Sequence, residues 1–304
     1  MGTAKVLVCD AIHDDALAWL DQQADVELVN RPGISTDELA GRLADVDALI
    51  VRSRTQVTGE LIERALQLRV VGRAGSGLDN VDLAAAQDAD VAVLNTPGAN
   101  ANAVAELTFG LMIAMARHLP SVLGTAAKPS GYGRELAGRT LGVVGCGQIG
   151  QRVSQLGRAF GMRPVGHDVD SSVIQADESL DLVPLETLLT TSDVVTLHVP
   201  LTSETQDLFS ESLIERLKPD AGLVNTARGG LVDEAAVVRA LDAESLAGYA
   251  ADFCDNEQLR AHPRAVITPH IGAQTIEAQR RAGLEIAQRV VDALRGGAGS
   301  TEPS

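Results

Sequence analysis

The chain has 304 residues, 45% of them hydrophobic, which is enough for two domains with separate cores. A net charge of −16 argues against a nucleic-acid partner, and no apolar run approaches the length of a membrane span. Cys9, Cys146 and Cys254 lack the spacing of a metal or redox site. We therefore expect a cytoplasmic protein with no membrane, nucleic-acid or metal partner.

Residues 4 to 119 alternate short apolar runs with amphipathic ones, which predicts a parallel sheet with helices on both faces. The predicted strands are AKVLVCD, VELVN, ALIVRS, RVVGRAG and VAVLNTP. The predicted helices are DDALAWLDQQ, STDELAGRLA and TGELIERAL, each beginning at an Asp, Ser or Thr cap. A further helix, AVAELTFGLMIAMARHL, is apolar on nearly all sides. It is either a core helix or a subunit interface, and we expect a homodimer through residues 104–119.

A stretch rich in Pro, Gly and Ser, from Pro120 to Gly138, precedes a second alternation that runs from RTLGVVG to AVITPH. One more long helix follows. The fold class is therefore α/β, with two Rossmann-like domains built on doubly wound parallel sheets. We expect residues 97–275 to form one domain, inserted into a flavodoxin-like domain of residues 1–96 plus 276–296. Residues 297–304 are predicted to be a disordered tail.

The stretch TLGVVGCGQIGQRV has the spacing of a dinucleotide-binding loop, since a strand leads into Gly145, Gly147 and Gly150, and a helix follows. The glycines allow a tight turn, close approach of a pyrophosphate, and close packing of helix on strand. Asp168 ends the next predicted strand and can accept hydrogen bonds from ribose hydroxyls. With Asp170 nearby, it would repel a 2′-phosphate, so we expect NAD rather than NADP. The alternative is a glycine-rich turn without a ligand.

Three later strands are each followed by a polar residue suited to proton or anion chemistry. Arg228 follows AGLVNTA, Asp252 and then Glu257 follow AGYAA, and His270 follows AVITP. An arginine can hold a carboxylate, and a histidine can take a hydroxyl proton as a hydride leaves. A glutamate beside that histidine would favour its protonated form, and we expect Glu257 and His270 to meet. Alternatively, each is an ordinary strand-end or loop residue. His262 is expected to face solvent.

Six motifs occur in the order found in D-isomer-specific 2-hydroxyacid dehydrogenases, and the chain resembles that family from ALIVRS to the final helix. The motifs are VRSRTQVT, VVGRAGSGLDNVDL, NTPGANANAVAELT, LGVVGCGQIG, VNTARGGLVDE and TPHIGAQT. The resemblance implies that Arg228 binds the substrate carboxylate, that His270 is the acid–base residue, and that Glu257 orients it.

The resemblance also implies two sets of binding residues. Those near the cofactor are Gly145, Gly147, Gln148, Ile149, Gly150, Asp168, His198, Pro200, Thr205, Asn225, Thr226, Ala227, Asp252 and Gly272. Those near the substrate are Arg52, Ser53, Arg73, Gly75, Ser76, Gly77 and Asn100.

Arg52 and Arg73 match positions that face a phosphate within the family, or they are surface arginines. They favour 3-phospho-D-glycerate, oxidised with NAD to 3-phosphohydroxypyruvate at the entry to serine synthesis. The alternatives are a reductase of glyoxylate, hydroxypyruvate or another small 2-oxo acid, an NAD-sensing protein without turnover, and a degenerate paralogue. The chain departs from the family in shorter loops at 121–137 and 258–269, with Gln258 replacing a proline. We expect a short form with no regulatory domain after residue 304.

Overall fold

The structure is a computed structural model that describes residues 2–124, 131–170 and 180–296. The predicted tail at 297–304 and part of the 121–137 loop lie outside the described residues. The chain forms two compact units. The first runs up to Asn100 and resumes at Ala273, and the second is Ala101–Gly272. The boundaries expected from the sequence, 96/97 and 275/276, fall a few residues from these junctions.

The first unit contains a five-stranded parallel sheet whose strands are those predicted. They are β1 (Ala4–Val8), β2 (Val26–Asn30), β3 (Ala48–Val51), β4 (Val70–Arg73) and β5 (Ala92–Leu94). The order is β2-β1-β3-β4-β5, which is the doubly wound order of flavodoxin-like domains. Every residue of the inner strand β3 is buried, because helices cover both faces of a parallel sheet.

The described residues of the first unit form five α-helices. They are α1 (Asp14–Asp21), α2 (Thr36–Ala40), α3 (Gly59–Arg64), α4 (Leu83–Asp88) and, last in the described chain, α12 (Ile276–Leu294). Ser35 caps α2 and Thr58 caps α3, as predicted. The prediction of an Asp cap is wrong for α1. His13 caps that helix by accepting a hydrogen bond from Asp15 N at 3.2 Å, and the aspartates lie in the first turn, where the helix dipole favours them.

The second unit contains a seven-stranded parallel sheet. Its strands are β6 (Thr140–Val144), β7 (Arg163–His167), β8 (Asp181–Leu182), β9 (Val194–Leu197), β10 (Gly222–Asn225), β11 (Gly248–Ala251) and β12 (Ala265–Ile267). Their order is β12-β11-β10-β9-β6-β7-β8. The chain therefore winds outward in both directions from β6, and ligands of such sheets bind outside the carboxyl ends of the strands at that reversal. The predicted pair of doubly wound sheets is confirmed.

The helices of the second unit include one that ends earlier than predicted. They are α5 (Ala101–Ala116), α6 (Leu119–Val122), α7 (Gln148–Ala159), α8 (Leu185–Thr191), α9 (Glu211–Ile214), α10 (Glu234–Asp242) and α11 (Glu257–Ala261). The helix expected to continue to residue 119 stops at Ala116, because His118 has a left-handed backbone with φ of 53°. Within the described ranges, no helix has the length and apolar character needed to cross a membrane.

Candidate active site

The glycine loop between β6 and α7 has the close backbone packing that its spacing predicts. Gly145 has a φ of 89°, and a Cβ there would lie 2.7 Å from the carbonyl carbon of His198. A Cβ on Gly150 would lie 2.0 Å from Gly145 O. These two positions exclude a side chain because backbone occupies the space. A Cβ on Gly147, by contrast, would meet nothing within 4 Å. Gly147 therefore faces open space.

The first turn of α7 offers unused backbone donors at that open space. Among the described residues, the N–H groups of Gly147, Gln148 and Ile149 donate to no acceptor. Gly147 is also the N-cap of α7 and has no side chain to cap it. Free N–H groups at the positive end of a twelve-residue helix suit an anion. The loop thus fits the pyrophosphate of a dinucleotide.

Asp168 follows β7 and is tied to the glycine loop. Its carboxylate accepts a hydrogen bond from Cys146 N at 2.7 Å and another from Asp170 N at 3.0 Å. Each bond uses a different carboxylate oxygen, and each oxygen keeps a further lone pair for a ligand hydroxyl. The glycine loop and Asp168 therefore form one hydrogen-bonded structure.

His198 and the loop after it follow β9, the strand beside β6. His198 Nε2 lies 3.0 Å from Thr196 Oγ1, and burial lowers the pKa of His198 to about 3. This imidazole is consequently neutral at physiological pH. The following loop is closed by Thr205, whose hydroxyl donates to Pro200 O at 2.6 Å and accepts from Thr202 N at 2.7 Å. The hydroxyl of Thr205 thus fixes the turn that follows β9.

Asn225 shapes the backbone between β10 and Arg228. Its side chain accepts from Ala227 N at 3.0 Å and donates to Arg228 O at 2.7 Å. Thr226 is buried beside it and shares a hydrogen bond of 2.8 Å with Thr108 of α5. The guanidinium of Arg228 donates to Ala227 O at 2.9 Å and is half-buried. Arg228 thus emerges from a rigid turn at the carboxyl end of β10.

Asp252 follows β11, and its carboxylate is occupied by the turn that carries His270. It accepts from Thr268 Oγ1 at 2.6 Å, Ile271 N at 2.8 Å and Gly272 N at 2.6 Å. Its backbone carbonyl accepts from His270 N at 2.7 Å. The side chain is buried, with 4% of Asp252 exposed. Asp252, which the family resemblance places near the cofactor, therefore anchors the turn that carries His270.

The expected contact between Glu257 and His270 is absent. No hydrogen bond or ion pair joins these two described residues. Glu257 is the first residue of α11 and is exposed, because Asn256 caps that helix by accepting from Gln258 N and Leu259 N. His270 has a φ of 56° and an exposed side chain whose ring lies edge-on to Phe253, with centroids 6.2 Å apart.

Contrary to the expectation from sequence, His262 does not face solvent. Its side chain is only 13% exposed, and Nε2 lies 3.5 Å from a carboxylate oxygen of Asp242. Its other ring nitrogen accepts from Arg264 N at 3.1 Å. His262 therefore fixes the loop before β12. Among the described residues, no group of three or more His, Cys, Asp or Glu is placed to hold a metal ion.

In the first unit, a buried carboxylate that sequence reasoning missed organises the loop of Arg52. Asp10, at the end of β1, accepts from Arg52 N at 2.7 Å and from the hydroxyl of Thr55 at 2.8 Å. Burial raises the pKa of Asp10, but these bonds and one from Arg54 outweigh it, so the pKa lies below its usual value. Ser53, between the arginines, is exposed. The signal in the sequence that could have revealed Asp10 is an acidic residue close behind the first strand.

Arg52 keeps its guanidinium partly buried beside β1. Its side chain donates to Ala11 O at 3.1 Å, and burial lowers the pKa of Arg52 although Asp10 opposes that shift. The group remains a cation at any physiological pH, because an arginine pKa lies far above 7. Arg52 is thus a fixed positive charge at the end of β3.

The loop after β4 has unused donors beside Arg73. Within the part of the chain that is described, the N–H groups of Gly75, Ser76 and Gly77 donate to no acceptor. A Cβ on Gly75 would lie 2.6 Å from Nη1 of Arg73, so the guanidinium packs on this loop. Ser76 Oγ donates to Asn100 Oδ1 at 3.0 Å. Three N–H groups and a cation form a donor set for an anionic ligand.

The second unit therefore combines a dinucleotide loop with an arginine after β10 and a histidine after β12, on either side of β11. This arrangement suits redox chemistry on an anionic alcohol. Residues 109–272 match the family model for the D-isomer specific 2-hydroxyacid dehydrogenase, NAD binding domain. The chain belongs to this family, which confirms the resemblance found in its motifs.

The chain is similar to the following two relatives and one solved structure. The D-3-phosphoglycerate dehydrogenase of Methanocaldococcus jannaschii is 40% identical over 307 residues, covering 96% of this chain and 58% of that protein. The hydroxypyruvate reductase of Thermotoga maritima is 38% identical, covering 97% and 99%. NAD⁺-bound 3-phosphoglycerate dehydrogenase of Entamoeba histolytica has a TM-score of 0.86 at 30% identity, covering 99% and 98%. The chain spans little more than half of the first relative.

Proposed function

We propose that this protein is an NAD-dependent oxidoreductase that interconverts a D-2-hydroxy acid and its 2-oxo acid. The observation that carries the proposal is the arrangement at the carboxyl ends of the second sheet. The glycine loop follows β6, and Arg228 and His270 follow β10 and β12. Bound NAD supplies a hydride acceptor. The protein supplies orientation, charge and a proton carrier.

Arg228 and His270 have the two roles that this reaction requires. The Arg228 guanidinium binds the substrate carboxylate and polarises the adjacent C–O bond. The His270 ring takes the hydroxyl proton during oxidation and returns it during reduction. Asp252 holds the backbone on either side of His270 through Thr268 and Ile271. Glu257 is proposed as a partner of His270 during turnover, although no hydrogen bond or ion pair joins these two described residues in the structure.

The preference for NAD over NADP is proposed from two carboxylates. Asp168 is fixed beside the glycine loop by Cys146 N, and the exposed Asp170 follows two residues later. Both charges would repel a 2′-phosphate, while Asp168 can accept from a ribose hydroxyl. The N–H groups of Gly147, Gln148 and Ile149 would hold the pyrophosphate.

The substrate we propose is 3-phospho-D-glycerate, with 3-phosphohydroxypyruvate as its oxidation product. Support comes from the 40% identity to a D-3-phosphoglycerate dehydrogenase and from the fixed cations Arg52 and Arg73. Arginines suit a dianionic phosphate because each offers several charge-assisted hydrogen bonds. A reductase of hydroxypyruvate is the second candidate, favoured by the 38% identity to such an enzyme over 99% of its length.

We further propose a homodimer formed through α5 and α6. Leu107, Ile113 and Ala114 of α5 remain partly exposed, and the exposed Leu123 follows α6. An apolar surface of this kind favours association with a second copy. Light scattering on purified protein should give twice the chain mass. A cytoplasmic location is proposed from three unpaired, buried cysteines.

The test is NADH oxidation with 3-phosphohydroxypyruvate, hydroxypyruvate and glyoxylate, measured side by side. Turnover confined to the phosphorylated acid, together with a loss specific to that acid in Arg52→Ala, is the expected result. Equal or faster turnover of the unphosphorylated acids would replace the proposal by the second candidate. NADH binding without turnover of any acid would favour a sensor protein or a degenerate enzyme.

A further inference from the structure

Phe253 is a large apolar side chain left exposed beside the proposed catalytic residues. It directly follows Asp252 at the end of β11, and 41% of it is exposed to solvent. The strand β11 lies between β10 and β12, which carry Arg228 and His270 at their ends. Phe253 therefore occupies the middle of three neighbouring strand ends.

The ring of Phe253 contacts the chain on both sides of this position. Its Cδ1 atom lies only 2.8 Å from where a Cβ on Gly229 would be, so the ring packs against the backbone directly after Arg228. On the other side its centroid is 6.2 Å from that of the His270 ring, at an interplanar angle of 66°. No other ring contact or hydrogen bond involves the His270 side chain within the described residues.

We propose that Phe253 is a positioning residue for the reaction, and that it sets the separation between Arg228 and His270 by filling the space between their strand ends. This inference rests on the proposed function. A histidine ring without a hydrogen bond can rotate about its side-chain torsions, and an edge-on aromatic neighbour restricts that rotation. Misplacement of a catalytic group by about 1 Å can cost roughly 100-fold in rate.

Gly229 is the residue from which the same contact with Phe253 can be disturbed. It begins a 3-10 turn, Gly229–Leu231, and its φ is outside the left-handed region, so its backbone accepts an alanine. A methyl group there would nevertheless lie within 3.0 Å of the Phe253 ring and displace it. Gly229→Ala should therefore disturb catalysis through Phe253 alone. This makes the pair suitable for a double-mutant cycle.

The experiment compares Phe253→Ala, Gly229→Ala, the double variant and Phe253→Tyr in NADH-dependent reduction. We expect kcat to fall roughly 10- to 100-fold in Phe253→Ala and in the same direction in Gly229→Ala. The double variant should resemble Phe253→Ala within about twofold, because the methyl group then meets no ring. Phe253→Tyr should retain kcat. The dissociation constant of NADH should remain unchanged in all four.

Phe160→Ala is the matched control, since Phe160 is 43% exposed and stacks on Phe109 with centroids 4.9 Å apart. It removes a similar ring from the same unit and should leave kcat unchanged. The inference is wrong if Phe253→Ala lowers only the melting temperature and leaves kcat unchanged, as expected for Phe160→Ala. It is also wrong if the two changes in the double variant are additive. If Phe253→Ala fails to fold, the kcat values of Gly229→Ala and Phe253→Tyr still test the inference.

A second readout does not depend on turnover. The ring protons of His270, assigned by their loss in His270→Gln, should shift in the NMR spectrum of Phe253→Ala and remain unshifted in Phe160→Ala. An unchanged His270 resonance would overturn the contact itself. A wild-type protein inactive on every acid would instead refute the proposed function, while this spectrum would still test the contact.

Discussion

Replacing Asp252 by asparagine tests whether this residue anchors the turn of His270. The buried carboxylate accepts three hydrogen bonds, two at one oxygen from Thr268 and Ile271 and one at the other from Gly272 N at 2.6 Å. The isosteric amide can accept the first two, but its NH₂ group must then face the Gly272 N–H. Losing a charged acceptor and leaving a buried donor unpaired should cost about 2–4 kcal/mol of unfolding free energy.

The measurement is urea unfolding followed by circular dichroism, with kcat determined on the folded variant. Because the same turn positions His270, kcat should fall together with stability. Asp233→Asn is the matched control in the same unit. Asp233 caps α10 by accepting from Ala236 N at 3.0 Å, and asparagine caps helices as well as aspartate does, so unfolding should change by less than about 0.5 kcal/mol. An Asp252→Asn protein as stable as Asp233→Asn would refute the anchoring role.

Three further changes separate fold from function. Asp10 has a pKa below its usual value in the folded protein. The stability that its ionisation contributes is therefore complete above about pH 4 and is lost as the pH falls through the folded pKa. In urea unfolding, the stability advantage of wild type over Asp10→Ala should shrink below about pH 4. Gly150→Ala should destabilise the apo protein because its Cβ would meet backbone at 2.0 Å, whereas Gly147→Ala should mainly weaken NADH binding, measured by fluorescence titration. Glu257→Gln should lower kcat for 2-oxo acid reduction if Glu257 orients His270 during turnover, and an unchanged kcat would remove Glu257 from the mechanism.

Features encoded within one stretch of sequence could be predicted well. Strand β3 is a continuous apolar run because it is buried on both faces of the sheet. That pattern is visible in the sequence without a structure. The glycine loop could be predicted for the same reason, since the positive φ of Gly145 and the close contact of Gly150 with Gly145 O both arise within that one turn. Asp168 could be predicted for the same reason, as it ends the strand that follows the loop.

Features that depend on contacts distant in sequence could not be predicted. Asp10 binds the Arg52 loop 42 residues away, and nothing in the surrounding letters indicates that partner. The expected meeting of Glu257 and His270 assumed that the two residues end adjacent strands. Asn256 instead begins a helix there, and this leaves Glu257 on the exposed first turn. The burial of His262 likewise depends on Asp242 in another helix.

Asp252 and Phe253 together suggest how the protein positions His270 without a carboxylate on the ring. These two residues follow β11 directly. Asp252 points inward, is 4% exposed, and holds the backbone around His270. Phe253 remains exposed and lies edge-on to the histidine ring. The backbone of His270 is thus held by one residue and, under the proposal, its ring is restricted by the next, so the end of β11 positions the proposed acid–base residue.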